Sequence, residues 1–321
     1  MNLPLSEYGF GAAPIGNLFT AVSDAEAAAA VDAAYDAGFR LFDTAPHYGL
    51  GLSERRLGAA LAGRPRASYT LSTKVGRLLV PSDADGGASG ARGSTGRDDQ
   101  GFDVPADLRR VWDFSRDGVR RSLEESLARL GLDTVDIVLI HDPDDHWEQA
   151  VSQAYPALAE LRDQGVVKAV GVGMNQAGML ARFVRETDVD MVMLAGRYTL
   201  VDQSGAEELL PLCRERGVSV LAAGVFNSGL LATHDPSGTY DYAPAPEPLL
   251  ARARRIAAVC ERHGVTLPQA ALAFPLRHPA VASVVVGARS AGEVARNAAL
   301  VARPIPGDLW ADLAAEGLIP G

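Results

Sequence analysis

The sequence predicts an α/β fold, a closed (β/α)8 or TIM barrel, on three observations. Short apolar runs alternate with longer amphipathic runs along the whole chain. Eight such short runs can be placed. The amphipathic runs repeatedly end on glycine just before the next apolar run, which is the chemistry of a helix stop feeding a strand. Eight strands in this rhythm favour a closed barrel, with an open doubly wound sheet as the alternative.

The first strand is placed at residues 10–15, and the others at 41–43, 70–75, 135–141, 167–173, 191–194, 218–223 and 283–287. Most are apolar throughout, as strands covered on both faces are. A helix is predicted over 23–37. Ser23 with Glu26 has the spacing of a capping box, and Gly38 closes the helix. Further helices over 115–130, 147–164, 207–216 and 248–263 stop at Gly131, Gly165, Gly217 and Gly264. Two segments break the rhythm. Residues 81–107 are rich in Gly, Ser, Asp and Arg, and are expected to form a long mobile loop or lid that adds nothing to the core. Residues 232–247, with Pro236, Pro244 and Pro246, are expected to form a second long loop. Both follow strands, so both belong on the C-terminal face, where barrels of this kind carry their chemistry. The tail from Pro304, with Trp310, is expected to pack back over the barrel as a helix. The whole chain, 1–321, is read as one domain.

Composition narrows the function. A formal net charge of −10 argues against a nucleic-acid surface. The longest apolar runs, 135–140 and 281–286, fall far short of the ~20 residues that span a bilayer. No basic segment followed by an apolar stretch opens the chain, and the two cysteines, Cys213 and Cys260, have no metal spacing. A cytoplasmic protein without a disulfide framework is therefore expected, and no metal is expected either, since Asp142, Asp144 and Asp145 alone do not make a metal site.

Three consecutive strands close on polar residues: Asp43, Lys74 and His141. Neighbouring strands of a barrel place such ends side by side at one mouth, and Tyr48 follows in the loop after Asp43. A free phenol, with a pKa near ~10, is too weak an acid for easy proton transfer at neutral pH. A nearby ammonium should favour the phenolate and lower that value. Asp43 would hold Lys74 charged, and His141 would orient a substrate oxygen. Such a group suits a reaction that moves a proton on a carbonyl or alcohol oxygen while a nicotinamide carries the hydride.

These residues also carry a resemblance. Phe42-Asp43-Thr44-Ala45-Pro46-His47-Tyr48-Gly49 with Ser53-Glu54, Leu71-Ser72-Thr73-Lys74, and the helix over 121–130 resemble the aldo-keto reductase family from the first strand to about Asn297. The resemblance implies a barrel without a Rossmann domain and a catalytic tetrad of Asp43, Tyr48, Lys74 and His141. His141-Asp142-Pro143-Asp144-Asp145-His146, Gly171 to Gln176, Ala195 to Leu200, and Phe226-Asn227-Ser228-Gly229 resemble a narrower branch, the aldose dehydrogenases with pyridoxal dehydrogenases beside them. That branch implies oxidation at C1 of an aldose, or of a similar aldehyde, with Tyr48 as the base. A broad NADPH-dependent carbonyl reductase, and a cofactor-binding regulatory subunit with little turnover, are the alternatives.

No Gly-x-Gly-x-x-Gly follows the first strand, so the phosphates of a dinucleotide must be held elsewhere. Phe226, Asn227, Ser228, Gly229 and Leu230 follow the seventh strand, and Gly287, Ala288, Arg289 and Ser290 follow the eighth and open a helix. Loops there form the usual phosphate site of these barrels, helped by free N–H groups at the helix start. The resemblance carries Gly287, Ala288, Arg289, Ser290, Glu293 and Asn297 onto the adenosine end. Glu293 stands where many NADP-using relatives have Arg or Gln, and Ser290 where they have Lys or Arg. NAD is therefore expected, with NADP use left open through Arg289. Ala223 stands where many relatives stack a Tyr on the nicotinamide. Gly173-Met174 and Ala195 replace the usual carboxamide partners, with Asn175 and Arg197 as candidate substitutes. His47 and Trp112 are candidate substrate contacts.

Overall fold

The computed structural model describes residues 3, 5–82, 96–236, 238–241 and 243–320. Eight parallel strands close a barrel: β1 (Tyr8–Gly11), β2 (Leu41–Asp43), β3 (Thr70–Val75), β4 (Ile137–His141), β5 (Ala169–Met174), β6 (Met191–Ala195), β7 (Ser219–Ala223) and β8 (Val281–Gly287). Each strand pairs with its neighbours in the chain, and β1 closes onto β8 through Gly11 opposite Gly287. The first strand is shifted from the expected 10–15 to Tyr8–Gly11, because Pro14 starts a 3-10 turn over Pro14–Gly16.

Period-two alternation sorts the side chains. Leu41, Ile137, Leu139, Ala169, Met191, Met193, Leu221 and Val285 form one buried cluster. The alternating residues Phe42, Val138, Ile140, Val170, Val172, Val192, Val220 and Val284 join the larger cluster shared with the helices. The first set packs inside the barrel and the second faces the helix ring.

The outer helices follow their caps. Ser23 accepts from the Glu26 N–H while Glu26 reaches back to the Ser23 N–H, so the capping box forms at the start of the helix Asp24–Asp36. Gly131 closes Arg116–Leu130 in the left-handed conformation, and Gly217 closes Leu209–Arg216. The helix expected over 147–164 runs from Trp147 to Asp163 but widens into a π-turn at Ala150–Ala154. Pro156 follows that turn and lacks an N–H for the regular ladder. The tail helix Gly307–Ala315 buries Leu309 and Leu313 and lays Trp310 against Phe274 and Arg277. Cys213 and Cys260 are buried and free, within Leu209–Arg216 and Glu247–Arg262.

The segment over 81–107 differs from its expectation. An antiparallel hairpin, Arg77–Pro81 with Leu108–Trp112, rises from the end of β3. Residues 96–107 return beneath it and bury Phe102 and Val104 against Leu50 and Leu79, with Tyr48 packed beside them. A segment expected to stay out of the core therefore supplies a small core of its own. Its remaining part, 83–95, lies outside the described residues. The second loop carries a two-residue hairpin, Thr239–Tyr240 with Ala243–Pro244.

Candidate active site

Strand parity places the polar strand ends. Asp43 shares the parity of Leu41, and His141 that of Ile137 and Leu139, so both side chains enter the barrel mouth with the inner cluster. Lys74 reaches the same point from β3. Its ammonium donates to Asp43 Oδ2 at 2.6 Å, to the Thr44 carbonyl at 3.0 Å and to the Tyr48 hydroxyl at 3.1 Å. These three partners match the three donors of an ammonium. The Tyr48 oxygen accepts from Lys74, which leaves its own proton for another acceptor. The His141 ring stands edge-on to Tyr48, with centroids 5.9 Å apart. The four residues expected to converge do so.

The loop that carries Tyr48 is held tightly. The Tyr48 N–H donates to the Ala45 carbonyl and the Gly51 N–H to the Pro46 carbonyl. Gly49 has φ +61°, and a Cβ there would lie 2.2 Å from the Gly16 carbonyl oxygen. Ser53 Oγ donates to the Ala12 carbonyl and bonds Thr44 Oγ1. The fully buried Glu54 accepts from Thr73 Oγ1 at 2.8 Å and from Arg129 Nε at 2.5 Å. The Ser53-Glu54 pair of the sequence signature thus ties the tyrosine loop to β3 beside Lys74.

Burial sets the electrostatics. It opposes the charge on Lys74, but Asp43 and Tyr48 together outweigh it and hold the ammonium above its ordinary range. Burial also lifts Asp43 above the ordinary carboxylate range, against the pull of Lys74. The Tyr48 phenol is pushed up to about 12 by burial, and Lys74 only partly counters this. The sequence reading expected the ammonium to win; in the folded site desolvation of the phenolate is the larger effect. His141 is held well below its usual value by burial and then by Arg77 and Lys74, so its ring is neutral. His47 is lowered to about 2 by burial and the nearby cations.

The hairpin contributes residues that sequence reasoning missed. Arg77 forms an ion pair with Asp142 and lies 4.3 Å from the centre of the Trp112 ring. Arg110 pairs with Asp98 at 2.5 Å and donates to the His47 carbonyl at 2.8 Å. Phe102 stands 5.2 Å from His47 and 6.1 Å from Tyr48. The available signal was the apolar run Leu78-Leu79-Val80 directly after Gly76-Arg77, which reads as a ninth strand. The candidate contacts His47 and Trp112 both sit here. His47 packs on Tyr48, His141 and Phe102, while Trp112 is 45% exposed and stacks on Phe114.

The expected cofactor residues occupy neighbouring strand ends on the same face. After β7, Asn227 and Ser228 are left-handed, at φ +46° and +57°, and Gly229 follows at +103°. Asn227 Nδ2 donates to the Gly196 carbonyl, while its buried Oδ1 has no hydrogen-bond partner among the described residues. Leu230 is buried in the core and donates its N–H to the Asn227 carbonyl; Phe226 is partly buried against the same core. After β8, Ser290 caps the helix Ala291–Val301, and Glu293 turns back to accept from the Arg289 N–H. Ser290, Glu293 and Asn297 share one helix face, next to Gly287 and the buried Ala288. Asn175 and Arg197 line a separate cavity of about 330 Å³ beyond β5 and β6. Arg197 is committed there to Asp241 at 2.6 Å. The ends of β7 and β8 open on the same face of the barrel as the tetrad and offer a dinucleotide one buried acceptor without a partner among the described residues, Asn227 Oδ1, and a helix start at which Ser290 and Glu293 already hold the Glu293 and Arg289 N–H groups. No helix among the described residues is long and apolar enough to cross a membrane.

A closed parallel barrel with this tetrad at its mouth defines a class, and comparison with known proteins assigns it. The family model for the aldo/keto reductase family matches residues 7–315, and the chain belongs to that family. It is thus an oxidoreductase of a family that works with nicotinamide cofactors. The chain is 50% identical to a D-threo-aldose 1-dehydrogenase of a Pseudomonas species, over 99% of this chain and 96% of that one. It is 39% identical to a pyridoxal 4-dehydrogenase of Microbacterium luteolum, over 99% and 95%. Among solved structures, the holo form of an aldo-keto reductase from Bacillus halodurans superposes with a TM-score of 0.70 at 26% identity, over 99% and 93%.

Proposed function

We propose that this chain oxidises C1 of an aldose with NAD, using Tyr48 as the general acid/base. One observation carries the reading: the Tyr48 hydroxyl lies 3.1 Å from an ammonium that a buried carboxylate holds charged, beside a neutral histidine. The similarity to an aldose 1-dehydrogenase at 50% identity supports the substrate class.

The residues divide the work. His141, neutral, donates a hydrogen bond to the substrate oxygen and orients it over the mouth. In oxidation the phenolate form of Tyr48, its own proton first released to solvent, takes the proton of the C1 hydroxyl; in reduction the phenol gives a proton to the carbonyl oxygen. Lys74 stabilises the phenolate at the moment it forms, and Asp43 keeps Lys74 ionised in a buried setting. The loops after β7 and β8, with Asn227, Gly287, Ser290 and Asn297, would hold the cofactor. When bound there, the nicotinamide would supply the hydride acceptor.

Glu293 supports NAD over NADP. Its carboxylate stays near the helix start, bonded to the Arg289 N–H and 3.5 Å from the Arg289 Nε. An acidic group there suits a free ribose hydroxyl and repels a 2′-phosphate, although Arg289 keeps some NADP use open. Steady-state oxidation of L-fucose, D-arabinose, L-galactose and pyridoxal with NAD and NADP in parallel tests both parts. Oxidation of at least one aldose with a higher kcat/KM for NAD is expected. A tenfold preference for NADP would refute the cofactor assignment. Cofactor binding without turnover of any aldose or carbonyl compound would favour a regulatory subunit instead.

A further inference from the structure

Asp142 follows His141 directly, in a left-handed conformation with φ +43° that few residues other than glycine adopt. Its backbone N–H is anchored to the Gly173 carbonyl on β5. That conformation turns its carboxylate back onto the mouth. Oδ2 lies 3.5 Å from His141 Nε2 and forms the ion pair with Arg77. The Asp142 side chain is 32% exposed and that of Arg77 only 9%. The Arg77 bond uses Asp142 Oδ2, and the buried Arg77 Nε has no hydrogen-bond partner among the described residues. Trp112, 45% exposed, packs its ring against the same guanidinium and against Phe114 and His146.

We propose that the Arg77–Asp142 pair is a specificity-determining element that binds the hydroxyl on the carbon next to the reacting one, so that the substrate is a neutral 2-hydroxy aldose. This inference rests on the proposed aldose oxidation. If His141 holds the oxygen on C1, the carboxylate beside its Nε2 stands where the next oxygen of a sugar falls. A hydroxyl both donates and accepts, and a carboxylate with a guanidinium offers both complements. The charges at the mouth are matched in pairs: Lys74 with Asp43, Arg77 with Asp142, and Arg110 with Asp98. Both histidines there are neutral. No cation in this group is left over for a phosphate or carboxylate on the substrate, which favours a neutral polyol.

The experiment compares kcat/KM for D-arabinose and 2-deoxy-D-ribose, which lacks only that hydroxyl, in the full-length enzyme with saturating NAD. Wild type is expected to favour D-arabinose by roughly 10- to 100-fold, the effect of one hydrogen bond to a charged group. Asp142→Asn, which keeps the shape and loses the charge, is expected to cut that preference at least fivefold. Arg77→Lys, which keeps the charge and loses the planar fork, should cut it at least threefold, and it serves where Asp142→Asn does not fold. A purely structural role would lower both sugars together and leave the ratio unchanged. Equal efficiency on the two sugars in wild type, or an unchanged ratio in a folded variant, overturns the inference while the dehydrogenase reading stands. Oxidation of neither sugar overturns this inference, and the dehydrogenase reading falls with it only where L-fucose and L-galactose are not oxidised either.

Discussion

At the scale of single residues, the proposed chemistry rests on Lys74 and Tyr48. Each is an ionisable group placed where burial penalises its charged form, and they end differently because their partners differ. Lys74 has a carboxylate 2.6 Å away and keeps its charge, whereas Tyr48 has only the shared ammonium and stays protonated at rest. The phenol is thus an acid until a reaction draws on it. Replacing Lys74 by Met should slow oxidation by at least about 10²-fold and leave Asp43 buried without a cation. Breaking such a pair costs roughly 3–5 kcal/mol, readable as a lower urea midpoint. Unchanged kcat/KM in a folded Lys74→Met enzyme would remove the ammonium from the account. All four tetrad residues were legible in the sequence, because three close apolar runs and the fourth sits in a quoted signature. The direction of the Tyr48 shift was not legible. Sequence shows which charges are near, but not how much water is lost.

At the scale of elements, the tyrosine loop and the hairpin above it frame the mouth. Glu54 clamps the loop to β3 through Thr73 and to the helix Arg116–Leu130 through Arg129. Glu54→Gln should keep the hydroxyl bond but leave the partly buried Arg129 with only Glu125, 3.8 Å away, as a counter-charge. A loss of roughly 1–3 kcal/mol in a denaturant titration is expected, with KM for substrate changing less than the stability. A midpoint within experimental scatter of wild type would show that the clamp is not needed. The barrel strands could be read in advance because parallel strands covered on both faces leave continuous apolar runs. The hairpin could not. Its arms lie far apart in the chain, and the polar stretch between them hid Phe102 and Val104, whose partners Leu50 and Leu79 come from other segments. Arg77 and Arg110 became site residues only through that pairing. Likewise, Glu293 could be read as an acid near the expected adenosine end, but its bond to the Arg289 N–H appears only in the folded helix start.

For the whole molecule, the closed barrel brings residues from β2, β3 and β4 to one point and puts the ends of β7 and β8, the proposed cofactor site, on the same face. Burying two neutral histidines there couples folding to pH. His47 is held at about 2 and His141 well below its usual value, while an unfolded histidine titrates near ~6.5. Below ~6.5 the unfolded chain binds protons that the folded chain does not, so stability falls as pH drops. Above it these groups contribute no slope. The limit is about 1.4 kcal/mol per pH unit for each histidine. Urea midpoints at pH 7 and pH 5 should differ in wild type and differ less in His47→Phe; an identical pH dependence in the two proteins would count against buried neutral histidines. The most direct test of the central claim, that Tyr48 transfers the proton, is the pH profile of kcat/KM for aldose oxidation in wild type and Tyr48→Phe. With a phenol raised toward 12 in the free enzyme, wild type should speed up as pH rises from neutral to alkaline. Tyr48→Phe should bind the cofactor normally, lose roughly 10²- to 10⁴-fold in rate, and lose that slope. A Tyr48→Phe enzyme within threefold of wild type, with the same pH dependence, would contradict the account.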